Sequence, residues 1–211
     1  SYGDLAASVT RWTNALRTQL PADRQPTIAL MCRNSRFLMI ALLGALGVGA
    51  RTVFLNTDLG PRQLAALCDR DGIEMIVYDA EFDAALSDIA PSITRVLAFV
   101  GQEGNDSDDV PQMAVLMAAA SAAPPPKPAY RPDVVILTSG STGMPKGAAR
   151  GSGGTMSLAT AAGVLERIPL RGSDRILLAP PAFHGWGLIV SMLALAMGAT
   201  LVFDRRFDAH R

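Results

Sequence analysis

Charged residues are scarce in this 211-residue chain, and neither sign of charge dominates. Only 18% of the residues are charged, and 19 Lys plus Arg balance 19 Asp plus Glu. A nucleic-acid-binding surface is normally basic, so this balance argues against a nucleic-acid partner. No block of like charge is present that would indicate an interaction tail, and we expect the basic pair Arg205-Arg206 to be a solvated strand end. The length fits one large domain or two small ones.

Cysteine and histidine are equally scarce, with two of each. Cys32 and Cys68 lack C-x-x-C spacing and have no histidine nearby, which argues against a zinc site. Cys68 falls on the apolar side of a predicted helix, a position that suits a buried thiol. We expect both thiols to be reduced and the protein to be cytoplasmic.

Apolar runs long enough to cross a bilayer without interruption are missing. Residues 37–50 are 14 residues without charge, too short for a span and interrupted by glycines. Residues 176–203 are also uncharged, but Pro180, Pro181 and His184 break this stretch. We expect no signal peptide before the first helix. We interpret both stretches as buried elements, with peripheral membrane contact as an open alternative.

Segments of helical periodicity alternate with short apolar segments. The first helix carries an apolar stripe, and residues 27–31 predict a strand buried on both faces because polar residues do not alternate there. Asn34 or Ser35 can cap the apolar helix that follows this strand. The alternation predicts an α/β fold, with mostly parallel sheets and flanking helices. Further strands are predicted at residues 52–54, 74–78, 95–100, 134–137, 175–179 and 200–203.

A change of composition predicts the domain organisation. Residues 101–109 are polar and acidic, residues 118–123 are rich in alanine, and three prolines follow. Such a stretch is typical of a linker. We therefore predict a first α/β subdomain at 1–100, a linker at 101–132, and a phosphate-loop α/β segment at 133–211.

The most informative segment is TSGSTGMPKG, residues 138–147, directly after the apolar run 134–137. Glycines let the backbone approach an anion closely, and N–H groups, hydroxyls and the Lys146 ammonium can surround its charge. In parallel sheets, ligands bind beyond the carboxyl ends of strands, where this loop stands. The segment therefore predicts a polyphosphate site.

Two generic patterns fit this loop incompletely. Gly140 and Lys146 have Walker A spacing, but Pro145 stands at the second glycine and Gly147 at the Mg²⁺-binding hydroxyl. Around Ser141, the nucleophile elbow G-x-S-x-G lacks its first glycine. An NTPase, a hydrolase and a glycine-rich loop without a ligand remain as alternatives.

From Leu137 to Gly147 the chain resembles the adenylate-forming superfamily of acyl-CoA synthetases, peptide-synthetase adenylation domains and luciferases. Their phosphate loop reads [YLF]-T-S-G-[ST]-T-G-x-P-K-G, and the match departs at no position. Residues 181–188 resemble the family's P-x-F-H-x-x-G-L block, whose histidine loop lies beside the acyl substrate. A lone histidine such as His184 is more often a packed side chain, but the spacing of the two blocks favours the functional interpretation.

The resemblance implies the partial N-terminal domain of an acyl-CoA synthetase fold. It also implies an acid–CoA ligase that uses ATP, Mg²⁺ and CoA, with an acyl-AMP intermediate. Catalytic roles fall on Lys146, Thr142 and His184, and Thr142 is also the predicted Mg²⁺ ligand. The predicted phosphate-contact residues are Thr138, Ser139, Gly140, Ser141, Thr142, Gly143, Lys146 and Gly147.

Residues 32–35 and 52–57 resemble bacterial fatty-acyl-CoA ligases more than peptide-synthetase domains, which favours a fatty acid over other carboxylic acids. The family's Y-G-x-T-E and T-G-D blocks, its hinge and its C-terminal lysine do not occur in these 211 residues. We therefore expect a portion of an enzyme that lacks its C-terminal part and is inactive alone. A non-catalytic interaction module is the alternative. At residues 148–150, Ala-Ala-Arg replaces the family's usual valine and nearby histidine, which leaves the helix after the loop less defined.

Overall fold

The computed structural model describes residues 1–100, 110–138, 146–149, 163, 165–168 and 170–205. The helices in these ranges are α1 (Tyr2–Gln19), α2 (Arg36–Val48), α3 (Pro61–Asp71), α4 (Met113–Ala119) and α5 (Gly185–Met197), with a 3₁₀ helix at Ala80–Leu86. Residues 163 and 165–167 are also helical. The strands are β1 (Thr27–Met31), β2 (Arg51–Phe54), β3 (Met75–Asp79), β4 (Thr94–Phe99), β5 (Asp133–Thr138), β6 (Lys146–Ala149), β7 (Arg175–Leu178) and β8 (Thr200–Phe203).

Six strands form one sheet in the order β4-β3-β1-β2-β5-β6, and β7 and β8 form a separate pair. Strands β1 to β5 are mutually parallel, β7 and β8 are parallel, and β6 runs antiparallel to β5. The predicted α/β fold with mostly parallel sheets is confirmed.

The core lies on both faces of the large sheet, because successive side chains of a strand point to opposite faces. In β1, Ile28 and Leu30 join the cluster beneath α1 and α2, whereas Ala29 and Met31 join the cluster beneath α3. All five residues of β1 are buried. Their uniform apolar character is therefore the signature of a central strand covered on both sides.

The end of β1 leads into α2 through a cap. Ser35 is the N-cap residue, and its hydroxyl accepts a hydrogen bond from the Leu38 N–H at 3.2 Å. The sequence left Asn34 and Ser35 as equal candidates for this cap, and the structure assigns it to Ser35. At the other end, Gly49 adopts the left-handed conformation with φ 79°, which favours glycine.

The first uncharged stretch is largely buried, as predicted, but the second is only partly buried, with Leu177 57% and Trp186 50% exposed. Residues 37–50 belong mainly to α2, and residues 176–203 form most of β7, all of α5, and β8. Within the ranges that the structure describes, none of the helices has the length and apolar character needed to cross a membrane.

Two elements were not predicted. Helix α4 lies within the predicted linker 101–132, where the alanine-rich composition hid it. Strand β6 directly follows the phosphate loop although Gly147, Ala148 and Ala149 have low strand propensity, since pairing with β5 decides its conformation. Strand β5 pairs with β2, so the large sheet includes strands from both sides of that linker. The division into subdomains stays a prediction.

Helices α1 and α2 pack closely at Gly44, opposite the buried Trp12 indole. A Cβ atom built at Gly44 overlaps Trp12 Cδ1 and lies 3.1 Å from its Cγ. Trp12 is 1% exposed and has no room to move outward. We expect Gly44→Ala to lower the free energy of unfolding by about 1–3 kcal/mol through overpacking, measured by urea denaturation.

Gly3→Ala is the matched control, because Gly3 is an exposed glycine in α1 whose Cβ would meet only Ser1 Oγ at 3.6 Å. Alanine has the higher helix propensity, so this variant should be neutral or up to about 1 kcal/mol more stable. Equal destabilisation by both substitutions would contradict close packing at Gly44.

Candidate active site

The phosphate-loop segment begins and ends on two paired strands. Thr138 at the end of β5 is the register partner of Lys146 at the start of β6, and Leu137 is the partner of Gly147. The intervening residues 139–145 therefore leave and re-enter the sheet at the carboxyl end of β5. Five of the predicted phosphate-contact residues lie outside the described residues: Ser139, Gly140, Ser141, Thr142 and Gly143.

His184 is the exposed N-cap residue of α5, in the turn that follows β7. Its backbone N–H donates to the Pro181 carbonyl at 3.0 Å. Its ring centroid lies 4.5 Å from that of Phe183, which is 9% exposed. The turn thus rests on one buried aromatic ring and leaves the imidazole at the surface.

The His184 turn packs against β5. A Cβ atom at Gly185 would lie 3.9 Å from Ile136 Cδ1, and Ile136 precedes Thr138 by two residues. Ile136 also packs on the apolar cluster that contains Ala182 and Phe183. The structure therefore brings His184 and the ends of the phosphate loop to the same region of β5, while the role of each stays a prediction.

Asn34 contributes to this region, although sequence analysis considered it only as a helix-cap candidate and as part of the resemblance at residues 32–35. Its side-chain amide bonds to backbone groups of Leu178, Pro180 and Ala182, in and after β7. One sequence signal could have pointed to it: a polar residue just after a buried central strand, where α/β sheets place functional groups.

A cluster of charged side chains occupies the crevice between the carboxyl ends of β1 and β3, where the strand order reverses. Asp79 Oδ2 accepts from the Arg33 backbone N–H at 2.8 Å and from Arg205 Nη2 at 2.9 Å. Glu81 contacts Arg205 at 3.0 Å and Arg33 at 3.2 Å. The Arg205 guanidinium lies 4.0 Å from the centroid of the Phe99 ring.

The placement of Arg205 corrects the expectation that Arg205-Arg206 is a solvated strand end. Arg205 follows β8 and pairs with Asp79, whose side chain is 0% exposed, so it connects the small sheet to the large one. Arg206 lies outside the described residues. The sequence shows no sign of this pair, because the two residues are 126 positions apart.

Burial raises the pKa of Asp79, although the Arg33 N–H and Arg205 act in the opposite direction. Its Oδ1 atom is buried without a hydrogen-bond partner, which is consistent with a strong desolvation effect. The carboxylate is therefore held in its charged form at a cost in stability.

A reactive thiol and a metal site have less support among the residues that the structure describes. Both cysteines are free and buried, and burial raises the pKa of Cys68 to about 11, as expected for unreactive thiols. Among the described residues there is no group of three or more His, Cys, Asp and Glu side chains that could hold a metal. A groove of about 750 Å³ between α1, α2, α4 and β8 is lined by Tyr2, Phe37 and Phe203 among others, and none of the predicted site residues that the structure describes is among its lining residues.

The ends of the phosphate loop and the His184 turn lie near the carboxyl end of β5, and this edge is where open parallel α/β sheets bind their ligands. Comparison with known families makes this specific. The profile of the AMP-binding enzyme family matches residues 1–211, and the chain belongs to this family.

The curated relatives are CoA ligases with different acids in their names. The chain is 32% identical to the indoleacetate–CoA ligase of Aromatoleum aromaticum, over 99% of the chain and 41% of the relative. It is 27% identical to the long-chain-fatty-acid–CoA ligase FadD13 of Mycobacterium tuberculosis, over 99% of the chain and 40% of the relative. The chain thus spans about two fifths of the length of these relatives.

Among solved structures, the chain resembles the inhibitor-bound N-terminal domain of FACL13 from Mycobacterium tuberculosis. The TM-score is 0.79 at 25% identity, and the match covers 100% of this chain and 51% of the other. This similarity agrees with the predicted partial N-terminal domain of an acyl-CoA synthetase fold.

The pH dependence of stability tests the buried carboxylate. The folded state binds the Asp79 proton more tightly than the unfolded state, so acidification from pH 7 toward pH 4 removes the penalty of the buried charge. Wild-type protein should therefore gain stability relative to Asp79→Asn as the pH falls, measured by urea unfolding at each pH. A relative loss would mean that the ion pair with Arg205 outweighs burial.

Gly187 fixes how closely α5 approaches the His184 turn. A Cβ atom at Gly187 overlaps the Pro181 carbonyl oxygen and lies 2.7 Å from its carbonyl carbon. We expect Gly187→Ala to displace the turn and to lower the free energy of unfolding by about 1–3 kcal/mol, measured by urea denaturation.

Gly185→Ala is the control from the same helical turn, since its Cβ would make only an ordinary contact with Ile136 at 3.9 Å. This variant should change stability by less than about 0.5 kcal/mol. Loss of stability in the control, with Gly187→Ala unaffected, would contradict the described contact.

Proposed function

We propose that the protein to which this chain belongs is an ATP-dependent acid–CoA ligase, with a fatty acid as its preferred substrate class. The observation that carries the proposal is the common location of two sequence blocks. The phosphate-loop strands β5 and β6 and the His184 turn meet beside Ile136, at one carboxyl edge of the sheet.

The location suits a reaction between two anions. The strand pairing supports a phosphate role for residues 138–147, because Thr138 and Lys146 enclose a seven-residue loop of glycine, hydroxyl and proline residues with one methionine. Backbone N–H groups and the Lys146 ammonium would offset the repulsion between a triphosphate and an incoming carboxylate. His184 would face the acid from the neighbouring turn.

The proposed chemistry has two steps. A carboxylate oxygen attacks the α-phosphorus of ATP, the bond to the bridging oxygen breaks, and pyrophosphate leaves with the electron pair. The product is an acyl-AMP mixed anhydride. The CoA thiol then loses its proton as sulfur attacks the acyl carbon, and AMP departs. Mg²⁺ would accompany ATP and neutralise charge on its phosphate oxygens.

Two observations support a fatty acid as the substrate, and a third adds aromatic acids to the candidate substrates. Residues 32–35 and 52–57 resemble bacterial fatty-acyl-CoA ligases, and FadD13 is among the relatives. The indoleacetate–CoA ligase shows that a similar chain also occurs in an enzyme named for an aromatic acid. An aromatic carboxylic acid is therefore the second candidate substrate.

ATP–pyrophosphate exchange in the full-length protein tests the proposal. We expect exchange that requires a carboxylic acid and is faster with fatty acids than with benzoate or indoleacetate. Lys146→Ala should lower kcat/KM for ATP by about 10²–10³, because it removes the cationic donor that we propose for the phosphates.

Lys127 is the other lysine of the chain, is exposed in the proline-rich segment, and provides the matched control. Lys127→Ala should exchange pyrophosphate like the wild type. Two results would overturn the proposal: ATP hydrolysis that needs no acid, or Lys146→Ala and Lys127→Ala behaving alike. Faster exchange with aromatic acids would be consistent with the proposed ligase activity but would contradict the proposed preference for fatty acids.

A further inference from the structure

Asn34 is nearly buried, at 6% exposure, and its side-chain amide is fully hydrogen bonded. Nδ2 donates to the carbonyl oxygens of Leu178 and Pro180, both at 3.1 Å. Oδ1 accepts from the Ala182 N–H at 2.8 Å. One side chain therefore satisfies three backbone groups between the end of β7 and the His184 turn.

Leu178 is the last residue of β7, and Pro180 and Ala182 lie outside any strand ladder, between β7 and the start of α5 at Gly185. Buried N–H and C=O groups without partners cost about 1–3 kcal/mol each. The path of the turn therefore depends on a partner from outside it, and Asn34 is that partner for three groups.

The residues on both sides of Asn34 are held by hydrogen bonds. The preceding residue, Arg33, donates its backbone N–H to the buried Asp79 carboxylate at 2.8 Å. The following residue, Ser35, caps α2 through Leu38. The amide of Asn34 is thus fixed to the end of the central strand β1 and can hold the turn in one position.

The anchored backbone leads directly to the imidazole. Ala182, which bonds Asn34, is followed by the buried Phe183 and then by His184. The His184 N–H bonds to the Pro181 carbonyl at 3.0 Å, so the N-cap conformation of His184 depends on the same turn. Strand β2 separates β1 from β5, so these two strands lie about 10 Å apart in the sheet.

We propose that Asn34 is a positioning residue that sets the place of His184 relative to the phosphate loop. The role rests on the proposed ligase function, and it assigns to Asn34 an influence on the carboxylic acid rather than on ATP. Asn34 itself contacts neither substrate in this assignment, because its three hydrogen-bonding groups are already used by the turn.

A double-mutant cycle in the full-length protein tests the proposal by acid-dependent pyrophosphate exchange. Asn34→Ala should lower kcat/KM for the acid about tenfold to a hundredfold, with KM for ATP changed less than about threefold. In a His184→Ala background the same substitution should change the rate less than about twofold, because Asn34 acts through His184. Independent, multiplying effects of the two substitutions would overturn the proposal.

Asn14→Ala is the matched control. The Asn14 Nδ2 also donates to two backbone carbonyls of a distant segment, Ser121 at 2.8 Å and Ala123 at 2.9 Å, but on the α1 side. This variant should exchange pyrophosphate like the wild type. If it lowered kcat/KM for the acid as much as Asn34→Ala, a general loss of structure would explain both results and the proposal would fail.

Amide hydrogen exchange gives a readout that needs no turnover. In Asn34→Ala, exchange at the Ala182 and His184 amides should accelerate at least about tenfold, with β1 and β3 unchanged. Unchanged protection of the Ala182 amide would contradict the proposal that Asn34 holds the turn. If Asn34→Ala does not fold, Asn34→Ser is measured in the same way. Absence of acid-dependent pyrophosphate exchange in wild-type protein would instead reject the proposed function, and amide exchange would still decide whether Asn34 holds the turn.

Discussion

The turn after β1 holds the structure together at its carboxyl edge. Three consecutive residues there bind three different elements: Arg33 binds Asp79 at the end of β3, Asn34 binds the His184 turn, and Ser35 caps α2. Because β1 is buried on both faces, polar groups can appear only where the strand ends. The geometry of the candidate active site depends on this one turn.

The small sheet is attached by apolar and polar contacts of different character. Ala182 and Phe183 share an apolar cluster with the residues beneath α1 and α2, which supplies most of the favourable free energy. The hydrogen bonds of Asn34 and the Asp79–Arg205 pair are directional contacts that orient the small sheet. A buried ion pair adds little net stability after desolvation, but it accepts few alternative geometries. The orientation of β8 therefore depends on the Asp79–Arg205 ion pair. The attachment of the small sheet to the large one depends on the burial of apolar side chains.

The elements that sequence analysis predicted have local signals. Helix α3 begins at Pro61 and ends before Gly72 in the left-handed conformation, and both residues act within one turn of the chain. Strand β6 and helix α4 were missed because their conformations depend on packing rather than on propensity. For the site, the phosphate-loop pattern stood out by residue type, and His184 stood out through the resemblance of its block to the adenylate-forming superfamily. Asn34 and Arg205 did not, because their partners lie elsewhere in the chain.

By itself, the sequence determined the order of the strands and helices other than β6 and α4, the pattern from Thr138 to Gly147, and the position of His184 after a strand. These follow from periodicity, capping and residue chemistry over short distances along the chain. Only the tertiary structure decided that Asn34 bonds to residues 144–148 positions away and that Arg205 pairs with Asp79. The physical reason is that hydrogen bonds and ion pairs depend on distance in space, and strand order sets that distance.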